Sequence, residues 1–259
     1  MMAPTSMSTA VSVPRWLVPP LAALAYLVMA VVVLLTLPAL ALVLVVTWPF
    51  DPTRRTAGRF LRFCGASLAH AFPLWRVRID GAIPPARHPF IAVANHQSFL
   101  DVFMLAGLPW EMKWVAKESL FKIPWLGWMF RLSGDIPVRR GDHESGQAVL
   151  AAARRYLDRG MSVMFFPEGT RSPDGRLQSF KSGAFRLAIE AGVPVLPIAV
   201  SGTAEGMPKG SPWVRPARPR ARVLPLVPTS GLSPNDADRL REEVRNRIAA
   251  AVADLEREA

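Results

Sequence analysis

Residues 90–101 read FIAVANHQSFLD, an apolar run that leads into a polar corner. The first five residues are apolar like a short buried strand, and Ser98 followed three residues later by Asp101 is a helix-start signature. The pattern predicts a strand that ends near His96 and a helix with Asp101 in its first turn. A carboxylate at that position can hold one imidazole nitrogen while the other faces a substrate hydroxyl. The alternative is that Asp101 only completes a capping box and His96 is a hydrogen-bonded loop residue.

Four other segments extend this pattern along the chain. In sequence order they are residues 134–140 (GDIPVRR), 165–171 (FFPEGTR), 180–183 (FKSG) and 193–198 (VPVLPI). Together with NHQSFLD they resemble the four motif blocks of the lysophospholipid acyltransferase family, which includes the 1-acylglycerol-3-phosphate acyltransferases. The resemblance covers roughly residues 50–230; NHxxxxD and FPEGTR are specific when found together. Pro137 departs from the family pattern, which usually has an aromatic or aliphatic residue there.

The resemblance implies an O-acyltransferase that moves a fatty acyl group from acyl-CoA or acyl carrier protein to the sn-2 hydroxyl of 1-acylglycerol-3-phosphate, giving phosphatidic acid. His96 and Asp101 would be catalytic. The implied substrate-binding residues are Arg140, Glu168, Gly169, Thr170, Arg171 and Lys181. An arginine offers a phosphate a planar fork of donors, a geometry that lysine lacks. The alternative for both arginines is a salt bridge that caps a loop.

The residues themselves are compatible with this chemistry. Acyl transfer to an alcohol removes a proton from a weakly acidic hydroxyl, and an imidazole with an ordinary pKa of about 6.5 suits that task. A thioester is already an activated donor, so direct attack is possible and no covalent acyl-enzyme is needed. No cofactor or metal is expected, because the sequence has no nucleotide-binding glycine loop and no zinc-binding HExxH helix.

The N-terminal part of the chain has the composition of a membrane anchor. Residues 16–50 carry no charge, and residues 21–46 are almost wholly apolar. Such a run is long enough to cross a hydrocarbon core of about 30 Å. Pro38 leaves two arrangements open, a kinked span and a re-entrant hairpin. The run is longer than the apolar region of a signal peptide, and no small-residue cleavage site follows it.

Basic residues predict the orientation of this anchor. Arg15 alone precedes it, whereas Arg54, Arg55, Arg59 and Arg62 follow it. The positive-inside rule then places the C-terminal domain in the cytoplasm, at the cytoplasmic membrane. The basic and aromatic stretch after the anchor suits either a helix in the headgroup region or an ordinary surface helix packed on the domain.

The net charge of +11 narrows the class of partners. Cations neutralise nucleic-acid phosphates, but no nucleic-acid-binding signature is found, so no nucleic-acid partner is expected. The membrane lipid bilayer, a lysophospholipid acceptor and acyl-CoA or acyl carrier protein are the expected partners. Residues 209–222 contain five cations and no acid, which suits either an electrostatic contact or a solvated loop. Cys64 is the only cysteine, which excludes a disulfide within the chain.

Strand-like and helix-like segments alternate after the anchor. The predicted fold is α/β, a central mixed sheet flanked by helices and preceded by the membrane-anchoring helix or hairpin. We expect an N-terminal tail and anchor over residues 1–50, an acyltransferase domain over 51–230 and a packed amphipathic helix over 231–259. His96, Arg140 and Glu168 fall near the carboxyl ends of strands, which predicts a single site.

Two other functions stay open from the sequence. The same chemistry could serve another lysolipid acceptor, such as a lyso-ornithine lipid. From a different class, the chain could be a noncatalytic membrane-anchored protein that binds lipid or nucleic acid. An intact pair of His96 and Asp101 argues against a noncatalytic role.

Overall fold

The computed structural model describes residues 14–72, 74–85 and 88–258. The α-helices in these ranges are α1 (Val18–Thr47), α2 (Arg55–Ala71), α3 (Leu100–Leu105), α4 (Glu118–Phe121), α5 (Leu126–Ser133), α6 (His143–Leu157), α7 (Gly183–Ala191), α8 (Thr203–Gly206) and α9 (Ala237–Arg257). Short 3-10 helices occupy Arg15–Leu17 and Pro234–Asp236. The strands are β1 (Arg78–Gly81), β2 (Ile91–Ala94), β3 (Met112–Lys117), β4 (Ile136–Val138), β5 (Ser162–Phe165), β6 (Val195–Ser201) and β7 (Arg220–Val223).

These strands form one seven-stranded sheet in the order β1-β7-β6-β2-β5-β3-β4. Every neighbouring pair is parallel except β6 and β7, which are antiparallel. The predicted mixed α/β sheet is therefore confirmed. Strands β2 and β5 lie near the middle of the order and are buried along their whole length, which explains their continuous apolar sequences. The sequence did not predict β7, because its arginines alternate with apolar residues inside a proline-rich stretch.

Helices cover both faces of this sheet. Ile91 and Val93 of β2 belong to the core that contains α6, α7 and α9, whereas Ala92 and Ala94 belong to the core that contains α3. The alternation follows from strand geometry, in which successive side chains point to opposite faces. Helix α9 contributes its apolar stripe, Leu240, Val244, Ile248 and Leu255, to the first core.

Helix α1 is the one helix among the described residues that is long and apolar enough to cross a membrane. It continues through Pro38, so the chain does not reverse inside the apolar run. Helix α2 then packs against its C-terminal half, where Leu40 and Leu44 contact Ala57 and Leu61. The other face of α1 is exposed; its large exposed side chains are Leu24, Tyr26, Leu27, Val28, Val31, Leu34, Leu35, Leu42, Val45 and Val46.

Both halves of α1 contact the rest of the protein. Near its start, Ala22 and Ala25 pack in a cluster with Trp75, and the Tyr26 hydroxyl donates to a carbonyl oxygen 2.7 Å away in the loop after α8. Towards its end, Leu40 packs in a cluster with Met129 of α5. From position 22 to position 40 a helix rises about 27 Å. Helix α1 therefore lies along the domain instead of projecting away from it.

A buried charged cluster joins α2 to the sheet. Arg62 of α2 forms an ion pair with Asp135, which also accepts a hydrogen bond of 2.9 Å from the backbone N–H of Trp114. Beside it, the fully buried Lys113 donates to Glu111 at 3.1 Å and to the Arg54 carbonyl at 2.9 Å. Burial lowers the pKa of Lys113 and raises that of Glu111. Because buried charges need their partners, this cluster holds α2 in one position on the domain.

Residues 209–222 contain no acidic residue, but carboxylates from other parts of the chain lie close to their arginines in the folded structure. Arg222 lies 2.8 Å from Asp80 of β1 and 2.9 Å from Glu258, and Arg220 lies 3.7 Å from Glu258. These carboxylates are far away in sequence and come close because β7 pairs with β1 and α9 packs on β7. Part of the positive field expected from the sequence is therefore compensated, which weakens the interpretation of this stretch as an electrostatic contact.

Candidate active site

The corner between β2 and α3 brings the two predicted catalytic residues together. The Nδ1 atom of His96 lies 2.7 Å from Oδ2 of Asp101, and the same oxygen accepts the backbone N–H groups of Gln97 at 2.8 Å and Ser98 at 3.0 Å. A carboxylate can only accept, so Nδ1 carries the proton and Nε2 keeps its lone pair. Asp101 thus caps the turn and orients the imidazole with one oxygen, and the two alternative roles drawn from the sequence are combined.

The aromatic ring of Phe166 fixes the remaining freedom of His96. The two rings stack with centroids 4.1 Å apart and an angle of 24° between their planes. Phe166 in turn contacts Trp114 edge to face, with centroids 6.1 Å apart. The imidazole of His96 is therefore held on one edge by a carboxylate and on one face by an aromatic ring. A base that is already oriented does not have to be ordered during proton transfer.

The loop that carries FPEGTR is bonded to the backbone of His96. Oε1 of Glu168 accepts the His96 N–H at 3.1 Å, and Oε2 accepts the side-chain amide of Gln178 at 2.9 Å. The carbonyl of His96 accepts the backbone N–H of Ser172 at 2.8 Å. These contacts give Glu168 a positioning role at the histidine corner; substrate binding by its side chain stays a prediction.

Gly169 in the same loop allows a close approach by Lys181. Its φ of +71° is a left-handed conformation, and a Cβ placed there would lie 3.1 Å from Cε and 3.2 Å from Nζ of Lys181. A larger residue would be strained by the backbone and would also push the ammonium group aside. The sequence FPEGTR therefore needs its glycine for the position of a cation.

The titration of Glu168 leads to a first prediction, on stability. Burial raises the pKa of this carboxyl from 4.5 to about 7. The folded protein thus binds the proton more tightly than the unfolded chain, so Glu168 favours folding below pH 4.5 and loses that contribution as the pH rises to about 7. We expect the melting temperature of the native protein to fall, relative to that of Glu168→Gln, across this pH window.

Thermal unfolding of both proteins in the same detergent at a series of pH values measures this difference. A matched control is Glu256→Gln on the exposed surface of α9, which should keep the melting temperature close to that of the native protein at every pH. A difference between native protein and Glu168→Gln that stays constant with pH would contradict the assignment.

A cavity of about 710 Å³ opens in front of His96. Of the predicted site residues, it is lined by His96, Arg140, Gly169, Thr170, Arg171 and Lys181. Asp101 is fully buried and Glu168 is 7% exposed; both contact the His96 corner rather than line the cavity. The apolar part of its wall includes Phe99, Val102, Trp114, Leu120, Phe130 and Phe166. The cavity therefore joins a base, an apolar wall and a cluster of cations.

The cavity is also lined by four cations that the sequence interpretation did not assign to the site: Arg62, Lys117, Arg139 and Lys209. Lys117 ends β3, beside the β4 strand that leads to Arg140, so the rule that sites form at the carboxyl ends of strands could have found it. Lys209 donates to the carbonyl of Arg171 at 2.7 Å. No local signal identifies Lys209, because it comes from a distant loop.

The two neighbouring arginines after β4 differ in their partners. Arg139 is paired with Glu118 at 3.2 Å and Asp142 at 3.1 Å. Within residues 14–72, 74–85 and 88–258, no carboxylate lies within salt-bridge distance of Arg140 or Arg171. Burial, and secondarily the charge of Arg171, lowers the pKa of Arg140. The salt-bridge role considered for Arg140 is thus taken by Arg139, and the pair of Arg140 and Arg171 is available to an anion.

The sequence of this chain is similar to the sequences of known proteins. The family model described as Acyltransferase matches residues 76–201. A chloroplastic 1-acyl-sn-glycerol-3-phosphate acyltransferase of Arabidopsis thaliana is 40% identical over 205 residues, which cover 78% of this chain and 56% of that protein. The 1-acyl-sn-glycerol-3-phosphate acyltransferase alpha of Homo sapiens is 35% identical over 184 residues, which cover 70% of this chain and 65% of that protein. This chain therefore spans less than two thirds of the length of these relatives.

A solved structure is similar over nearly the whole chain. The crystal structure of the 1-acyl-sn-glycerophosphate (LPA) acyltransferase PlsC from Thermotoga maritima superposes with a TM-score of 0.74 at 27% identity. The match covers 93% of this chain and 97% of that protein. The similarity thus includes the N-terminal helices as well as the sheet.

Proposed function

Because this chain belongs to the acyltransferase family, we propose that it transfers a fatty acyl group from a thioester donor to the sn-2 hydroxyl of 1-acylglycerol-3-phosphate, giving phosphatidic acid. The observation that carries the proposal is the oriented pair of His96 and Asp101 beside a cavity that is apolar on one side and cationic on the other. A lysolipid phosphate has the same two parts, an apolar chain and an anionic headgroup.

The reaction follows from the free nitrogen of His96. Nε2 accepts the proton of the acceptor hydroxyl while that oxygen attacks the thioester carbonyl, and a carbon–oxygen bond forms. The carbon–sulfur bond then breaks, and the imidazolium returns the proton to the departing thiolate. Asp101 stabilises the imidazolium between these steps and keeps the ring in place. No serine or cysteine nucleophile is required, because the acceptor itself attacks.

The cations of the cavity suit the acceptor phosphate. Arg140 and Arg171 can each donate two parallel hydrogen bonds to phosphate oxygens. Lys181, held close to Gly169, adds a point charge. Gly169 and Thr170 also line the cavity, so five of the six predicted substrate-binding residues lie on its wall; substrate binding by Glu168 stays a prediction. These roles are part of the proposal, as is the absence of a cofactor.

Lysine substitutions separate a bidentate phosphate contact from a general positive field. We expect Arg171→Lys and Arg140→Lys to raise the acceptor KM by roughly 10-fold, with a smaller effect on the donor KM, because a point charge replaces a planar fork. Steady-state kinetics with each substrate varied in turn measure both constants. Arg139→Lys is the matched control, since Arg139 is already paired with Glu118. An increase confined to the donor KM would reassign these arginines to the phosphates of the donor.

The membrane location is proposed from α1. The helix exposes an apolar face while its opposite stripe contacts the domain at both ends. Because α1 lies along the domain, it fits an arrangement in one leaflet of the membrane better than one in which it crosses the whole bilayer. Arg54, Arg55 and Arg59 follow α1, and basic residues are attracted to the anionic surface of the cytoplasmic leaflet, which favours a catalytic domain in the cytoplasm. Substrate and product are both lipids, so an anchored enzyme avoids exposing their chains to water.

One assay tests the proposed reaction. Purified protein in detergent would be given a panel of lysolipids, including 1-acylglycerol-3-phosphate and lyso-ornithine lipid, each with acyl-CoA and with acyl carrier protein as donor. We expect phosphatidic acid to be the product formed at the highest kcat/KM. Faster acylation of a different lysolipid would keep the chemistry and change the acceptor. Lack of acyl transfer to every acceptor in the panel would contradict the proposal.

A further inference from the structure

A second apolar surface lies outside the N-terminal anchor, on the turn between α4 and α5 and on the first turn of α5. Ile123, Trp125 and Trp128 are 45%, 38% and 47% exposed, and the two indole rings pack against each other with centroids 5.2 Å apart. We call these three residues the tryptophan surface. Large exposed aromatic groups that cluster on a protein indicate a contact with another molecule or with a membrane. The three side chains of the tryptophan surface have no role in the acyl-transfer steps described above.

The backbone holds this surface in a fixed, outward position. Trp125 has φ of 64°, a conformation that is costly for a bulky residue and persists only when its surroundings impose it. The turn is closed by hydrogen bonds from Leu126 N–H to the Pro124 carbonyl at 2.7 Å and from Gly127 N–H to the Ile123 carbonyl at 2.8 Å. At Gly127 a Cβ would lie 2.1 Å from a backbone oxygen of α4. The exposed tryptophans therefore stand on a rigid turn.

This surface borders the anchor. Helix α5, which begins directly after Trp125, packs its Leu126 and Met129 in the same cluster as Leu40 and Leu44 of α1. Its tryptophans thus lie beside the C-terminal half of α1, whose exposed apolar face continues to Trp48 and Phe50. The apolar surface of α1 and the tryptophan surface therefore belong to the same side of the protein.

The charges around the turn suit a lipid headgroup region. Lys122 and Arg131 are both exposed on either side of the tryptophan surface. Glu118, at the start of α4, is paired with Arg139 at 3.2 Å and with Lys122 at 3.7 Å. Indole rings have an apolar body and a polar N–H and concentrate at membrane interfaces, where basic residues attract anionic lipids. If the tryptophan surface bound a water-soluble protein, it would not need to lie next to the membrane anchor.

We propose that the tryptophan surface is a second membrane contact, which inserts into the interface of the same leaflet as α1. The proposal rests on the membrane location of α1 and does not depend on which lysolipid is acylated. Leu120 of α4 and Phe130 of α5 line the cavity in front of His96. Insertion of the turn between these helices brings the cavity close to the acyl-chain region, so that a lysolipid can enter from the membrane without crossing water.

Depth-dependent quenching tests this contact without an activity assay. In a Cys64→Ser background, Trp128→Cys would be labelled with a nitrobenzoxadiazole fluorophore and the full chain reconstituted in vesicles of phosphatidylcholine and phosphatidylglycerol that contain spin-labelled lipid. Leu34→Cys on the exposed face of α1 is the positive control, and Ala250→Cys on exposed α9 is the negative control. We expect quenching at positions 128 and 34 and none at position 250.

The outcomes distinguish this inference from the proposed function. Quenching at position 34 without quenching at position 128 would overturn the second contact and leave the anchor intact. An absence of quenching at both positions would overturn both membrane contacts, whatever acyltransferase activity is measured in detergent. Quenching at position 250 equal to that at position 128 would remove the specificity of the contact and overturn the proposal as well.

Paired aromatic variants provide a second measurement. The double variant Trp125→Ser with Trp128→Ser should lower the rate on lysolipid embedded in vesicles by roughly 10-fold, a loss of about 1.4 kcal/mol of interfacial contact. Its rate on a short-chain lysolipid dissolved as monomers should stay within a factor of about two, because the cavity is intact. The double Trp→Phe variant should retain most activity in both assays. Equal loss in both assays would show damage to the fold or site and contradict the interfacial role.

Discussion

His96→Ala is expected to lower kcat by about 100-fold or more, in line with the contribution of a general base. The imidazole is held by Asp101 at 2.7 Å and by the stacked ring of Phe166, so its free nitrogen is already aimed into the cavity. Alanine removes the proton acceptor but leaves the cations that we propose bind the acceptor phosphate. The acceptor KM should therefore change little.

Controls must distinguish a loss of the catalytic step from a loss of the folded structure. His70→Ala on α2 removes an exposed histidine that bonds only a local carbonyl, at 2.9 Å, and should keep full activity. Thermal unfolding and vesicle binding of His96→Ala should match those of the native protein. Turnover near the native value in a correctly folded His96→Ala protein would contradict the general-base mechanism.

Asp101→Asn is expected to lower kcat by about 100-fold, and by no more than His96→Ala does, because Asp101 acts through the imidazole. The neutral amide cannot stabilise an imidazolium as the carboxylate does. Asparagine has the shape of aspartate, so an amide oxygen can still accept the backbone N–H groups of Gln97 and Ser98. The variant therefore tests charge with limited damage to the corner.

The double variant gives the sharper measurement. Since His96 and Asp101 act as a unit, His96→Ala combined with Asp101→Asn should be no slower than the slower single variant by more than about threefold. If the fold losses in kcat of the two single variants multiply in the double variant, Asp101 contributes independently of the imidazole. Asp101→Glu is the companion variant, because it retains the charge but moves it by one methylene, and it should fall between native and Asp101→Asn. Full activity in folded Asp101→Asn would exclude its assigned role.

Local sequence determined the corner that holds His96 and Asp101, the apolar strands and the apolar N-terminal helix. His96 and Asp101 are five residues apart, so the turn from β2 into α3 alone is enough to bring them together. Buried parallel strands need continuous apolar runs, which is why 90–94 and 163–166 were recognisable. The charge-free run before residue 51 likewise carries its own signal in composition.

Tertiary structure decided which distant groups surround that corner. Glu168 reaches the N–H of His96 across 72 positions because β2 pairs with β5. Arg139 differs from Arg140 because it pairs with Glu118, which is 21 positions away in sequence. Local patterns carry the geometry of a turn, but contacts between distant segments depend on strand order and helix packing. The same reason explains why the tail arginines find Asp80 and Glu258, and why α1 lies along the domain.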